Sequence, residues 1–177
     1  MRHQYRITKY NPALRDANGV FKGDDWTACS DVGRTFGGAV LTQAEYQRVE
    51  DAYAFAVDSL LRAAKVNSLQ LRGLENRSNS KLPTFVRLGA DLNVAQCAEF
   101  ARIVLREQAW GKLVAAGRAY VHFGYDYYMY AGLPAQCKQA VAAVRQCGLF
   151  VEPFRSPYLR QRNNRCMQVS IVNKILT

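Results

Sequence analysis

The chain has only 2 histidines among 177 residues, His3 and His122, too few for a histidine-based metal site without distant carboxylates. Its 5 cysteines, Cys29, Cys97, Cys137, Cys147 and Cys166, are odd in number and form no Cys-x-x-Cys pair. They describe neither a zinc site nor a disulfide framework, and reduced thiols in a cytoplasm fit them best. No stretch approaches the roughly 18 apolar residues of a membrane span, and no apolar signal core follows Met1-Arg2-His3-Gln4-Tyr5. Gly37-Gly38 lacks both the phosphate-loop lysine spacing and the Gly-x-Gly-x-x-Gly order of a dinucleotide turn. Internal repeats and low-complexity blocks are absent as well. Neither a metal nor a cofactor is expected.

What is present describes a folded domain. Hydrophobic residues make up 49% and charged residues 21%, enough apolar surface for one sizeable core and too little charge for disorder. The expected organisation is a single domain over residues 1–158 followed by a basic tail over 159–177. Lysine and arginine number 24 against 14 acidic residues, a net charge of +10, which attracts nucleic acid or an acidic protein surface. Half of that excess lies in Arg155, Arg160, Arg162, Arg165 and Lys174, with no acidic residue among them. A solvated basic tail and a dedicated anion contact both account for it.

Tyr5 and Ile7 alternate with Arg6 and Thr8, which predicts an opening strand over Gln4 to Tyr10, stopped by Asn11-Pro12. Residues 13–38 read as turns around a short element, pinned to the core by Trp26 and Phe36. Thr42-Gln43-Ala44-Glu45 has the form of a capping box and opens a long helix with Tyr46, Val49, Tyr53, Val57, Leu60 and Ala64 on its apolar face. A strand with a bulge near Gly73 is expected over Ser68 to Leu74, then a polar tip over 76–83 and a short strand over Phe85 to Leu88. Asn93 with Gln96 offers a second capping box, and the helix it opens is expected to run to about Trp110. Tyr120 to Phe123 and Tyr127 to Tyr130 read as a hairpin joined at Gly124-Tyr125-Asp126. Pro134 suits the first turn of a third helix with Cys137, Ala140, Val141 and Val144 inward and Gly148 as its left-handed end; Leu149 to Phe154 closes the chain as a strand. The class is therefore α+β, a mixed or antiparallel sheet with about three packed helices.

Few side chains suggest chemistry. His122 and Asp126 flank the hairpin turn and, if they met, would form a base with its orienting carboxylate, but no cysteine stands in a nucleophile context. Asp24, Asp25 and Asp31 do not follow the calcium-loop spacing and fit turns. Tyr120, Tyr125, Tyr127, Tyr128 and Tyr130 have three readings: core, protein interface, or a platform for stacking bases. Interleaved arginine and lysine are missing from that stretch, which weighs against the last.

Several stretches resemble, in the same order, a group of small bacterial proteins that includes immunity proteins of contact-dependent growth-inhibition and polymorphic toxin systems. They are Tyr5 to Pro12, Asp25-Trp26-Thr27, Ser30-Asp31-Val32-Gly33, Leu105-Arg106-Glu107, Val121 to Tyr130, Gly148 to Glu152 and Ser156-Pro157-Tyr158. Gly111 departs from the pattern, which has cysteine after the tryptophan, and so does the basic tail. The resemblance implies a cytoplasmic inhibitor that binds the C-terminal domain of a cognate toxin and occludes its active site without catalysis. Tyr125, Asp126, Tyr128 and Tyr130, with Arg34 and Arg118, are the expected contact residues, and the +10 charge points to an acidic patch on the toxin. The alternative is a nucleic-acid-binding module that uses the basic tail and the tyrosine hairpin.

Overall fold

A computed structural model describes residues 3–76 and 81–159. Four residues of the expected polar tip and all but Leu159 of the expected basic tail lie outside the described residues. The alternation of apolar and polar residues produces a seven-stranded sheet. Its strands are β1 (His3–Thr8), β4 (Ser68–Asn76), β5 (Asp91–Asn93), β6 (Ala109–Ala115), β7 (Ala119–Phe123), β8 (Tyr128–Leu133) and β9 (Phe150–Pro153). They lie in the order β5-β4-β6-β7-β8-β1-β9, antiparallel at every pairing. A separate two-stranded ribbon pairs β2 (Thr35–Phe36) with β3 (Ala39–Val40) across Gly37-Gly38. Single-domain α+β architecture is thus as the sequence indicates, with antiparallel pairing chosen over mixed.

Three helices, α1 (Gln43–Ala63), α2 (Val94–Leu105) and α3 (Lys138–Gln146), bury their apolar stripes in one core with Leu69, Leu71, Leu113, Val121, Met129, Ile7 and Val151 of the sheet. The expected inner faces of α1 and α3 are buried, and Gly148 ends α3 with φ of 89°. Both halves of the Asn93/Gln96 capping box form at 2.9 and 3.0 Å. At Thr42 only one half is present: its hydroxyl accepts from Glu45 N–H, while the Glu45 carboxylate turns to Arg48. Glu50, fully buried, ties α1 to α2 by accepting from Arg102 and Arg106. Burial alone would raise its pKa, but these hydrogen bonds hold it below the ordinary carboxylate range.

Three expectations are corrected. Phe85 to Leu88 forms turns, closed by Val86 N–H to Pro83 O and Arg87 N–H to Phe85 O, so Phe85 and Val86 pin a loop to the core, Leu88 is exposed, and the strand lies later, at β5. The second helix stops at Leu105, because Glu107 takes a left-handed conformation (φ 58°), and β6 follows. The inward positions of β6 are Ala109, Gly111 and Leu113, of which the first two are too small to show as hydrophobic alternation. Gly111 is small for a packing reason: a Cβ there would stand 2.9 Å from Leu71 Cδ1 and 3.1 Å from Phe100 Cζ. Pro134 precedes the third helix by several residues, and Cys137 is its N-cap.

Candidate functional site

Antiparallel pairing of β7 with β8 forces a tight reversal between Phe123 and Tyr128, closed by Gly124 N–H to Tyr128 O (2.6 Å) and Tyr128 N–H to Tyr125 O (3.1 Å). Its two central residues, Asp126 and Tyr127, have φ of 51° and 59°. These are values for which such hairpins normally recruit asparagine and glycine, and an L side chain there costs about 1 to 2 kcal/mol. The core compensates. Tyr127 is buried, its hydroxyl donates to Leu105 O at 3.1 Å, and its ring meets the edge of Trp26 at 4.8 Å. The Tyr53 hydroxyl donates to Tyr127 O while accepting Lys9 N–H, so α1 holds both β1 and the turn. Trp26 is itself fixed by Tyr10 OH to its carbonyl and by the Lys9 ammonium 4.0 Å from its ring centre.

The end of α2 adjoins this turn. Glu107 N–H bonds Val104 O and Gln108 N–H bonds Ile103 O, the helix termination in which the left-handed residue is usually glycine. A carboxylate here also opposes the helix dipole, whose negative end it joins. Between the two features lies a cleft of ≈ 110 Å³ lined by Thr27, Leu105, Glu107, Trp110, Tyr125 and Asp126, among others. Pockets that enclose small-molecule ligands run to about 300 Å³ and more, so this one suits a single side chain of a partner. Among the described residues, three of the four non-glycine positions with positive φ, Glu107, Asp126 and Tyr127, line it. Tyr125 projects beside it, 74% exposed. Neither Glu107 nor Asp126 has an ion pair or a hydrogen bond to its carboxylate among the described residues, whereas Asp25, Asp31, Glu45, Asp58 and Glu152 are all paired with cations.

Of the residues singled out from sequence, Tyr125, Asp126 and Tyr128 meet at this cleft. Arg34 is 69% exposed and pairs with Asp31, whose other oxygen accepts Thr27 N–H at the cleft wall. Tyr130 is buried on the sheet face away from the helices, against Phe154 and Tyr158. Arg118 stands at the opposite end of β7, bonded to Lys65 O at 3.5 Å. Glu107 and Trp110 were missed as contact residues because they follow a helix predicted to continue through them.

No bond joins His122 to Asp126. The His122 ring is 3% exposed, its Nδ1 pairs with Ser156 Oγ at 2.8 Å, and burial followed by the Lys112 charge lowers its pKa to about 4. It is neutral at physiological pH and anchors the chain after β9 to the sheet. Burial raises the pKa of Cys97 to about 12 and that of Cys29 and Cys137 above the ordinary thiol value, so these sulfurs stay protonated. Asp24 accepts Gly37 N–H, Asp25 pairs with Lys9 and Asp31 with Arg34, as turn-forming aspartates do. No protein-family model, curated protein or solved structure matches the chain.

Proposed function

We propose that this chain is an immunity-type binding protein that neutralises a cognate toxin domain in the cytoplasm, without turnover, by docking the β7–β8 turn over the toxin's active site. The observation that carries the reading is the exposed Tyr125 ring held on a rigidly braced turn beside two unpaired carboxylates. A large ring with few rotatable bonds loses little entropy on contact and is a preferred interface anchor. Glu107 and Asp126 reverse locally the sign that the net charge of +10 suggests, so the surface this end of the molecule fits is basic. A toxin surface that binds nucleic acid has that character. Two of the stretches that carry the family resemblance, Leu105 to Glu107 and Val121 to Tyr130, converge on this cleft.

The test is calorimetric titration of the purified chain against the toxin domain encoded beside it, paired with a growth-protection assay. A one-to-one complex, with affinity lowered about tenfold or more by Tyr125→Ala and protection lost in parallel, is expected. Absence of a complex with that domain, or full protection by the variant, contradicts the proposal.

A further inference from the structure

The helices cover one face of the sheet, and the other face carries a different chemistry. Cross-strand register sets Arg72, Lys112, His122, Tyr130, Arg6 and Glu152 side by side in one row across six strands. The strands bring together cations and rings that lie far apart in the chain. At the β9 end the cations have a carboxylate partner, since Arg6 and Arg15 both contact Glu152. At the β4 end they do not. Arg72 and Lys112 are direct cross-strand neighbours with no ion pair among the described residues. Like charges placed opposite each other repel, and an anion between them relieves the repulsion. Lys112 contacts rings instead, its ammonium 5.4 Å from the Trp110 centroid and 5.2 Å from that of Tyr158. Both rings are half-buried and 6.0 Å apart. Tyr158 is fixed there by its N–H to Ser156 Oγ, the hydroxyl paired with His122. Arg155 is exposed and immediately precedes Ser156, whose hydroxyl is paired with His122 of this face. Glu75, opposite Trp110, is the acidic residue on this stretch.

We propose that this face binds single-stranded nucleic acid across β4 and β6, with Trp110 and Tyr158 stacking bases and Arg72, Lys112 and Arg155 holding phosphates. Rings give sequence-tolerant stacking, and the cations track the backbone. The surface meets the cleft beside the β7–β8 turn at Trp110, while Arg72, Lys112, Arg155 and Tyr158 lie outside that cleft, so the loss of binding in Arg72→Gln/Lys112→Gln is independent of the toxin reading.

The experiment is fluorescence anisotropy of the full chain with labelled 12-nucleotide single strands of DNA and of RNA, while Trp110 emission is followed. Binding at 50 mM salt, quenching of tryptophan emission that Trp110→Phe removes, and roughly twenty-fold weakening by 200 mM salt are expected for about three neutralised phosphates. Arg72→Gln/Lys112→Gln, checked for folding by circular dichroism, flattens the log–log salt slope by about 1.4. Trp110→Ala weakens binding about tenfold. Three results would overturn the proposal: no binding at 50 mM salt, a salt slope unchanged in the double variant, or equal binding of a polyglutamate peptide of the same charge. Comparing the DNA and RNA arms identifies which strand is preferred.

Discussion

The two ends of β7 turn the chain by opposite strategies. Toward β6, Arg118 N–H closes a reversal on Ala115 O, and its left-handed position is Gly117, at φ of 68°. Glycine occupies that conformation without steric cost. Toward β8, the left-handed positions are Asp126 and Tyr127, and the turn holds only because Tyr127 is buried against Trp26 and Tyr53. The first turn is locally relaxed and presents the exposed Ala116 and Arg118. The second is locally strained, and what it gains is a fixed position for an exposed tyrosine and an unpaired carboxylate. Strain retained where a relaxed alternative is available marks a position selected for something other than stability.

The comparison is sharpened most by Tyr127→Ala. Loss of a buried ring from a strained turn should cost about 4 kcal/mol, seen as a large drop in melting temperature; a loss below about 1 kcal/mol would show that the core does not brace the turn. Gly117→Ala, at the relaxed end, should cost about 1 to 2 kcal/mol by denaturant titration, entirely from φ, because a Cβ there meets nothing within 4 Å. Asp126→Gly should move stability the other way, by up to about 1 kcal/mol, and a destabilised variant would remove the claim of strain. Tyr125→Ala has the smallest effect, within about 0.5 kcal/mol of the parent in the same titration, since the ring buries little in the free protein.

Much of the fold was legible because the local rules and the tertiary packing agree. Gly148, the Asn93 cap, the bulge at Gly73 and the apolar stripe of α1 all stand where their chemistry places them. Agreement failed where packing demanded a small residue, as at Gly111, or where a non-glycine residue took a glycine conformation, as at Glu107. The second failure hid half of the candidate site. Reading Glu107 as mid-helix removed β6 and placed Trp110 on the wrong element. The tyrosine stretch was ambiguous for a different reason. Tyr125, Tyr127 and Tyr130 are exposed, core and back-face residues respectively, and a turn with two left-handed positions breaks the alternation that would have sorted them. Cations meet the rings of this stretch across strands, Arg6 beside Tyr130 and Lys112 beside His122, where a linear reading finds none.

The central claim, that the β7–β8 end trades stability for docking, is tested most directly by Glu107→Gly/Asp126→Gly. Melting temperature and affinity for the toxin domain would be measured on the same preparation. The expected result is a protein that melts higher than the parent and binds at least tenfold more weakly. A variant that binds as tightly as the parent, or that melts lower, would contradict it.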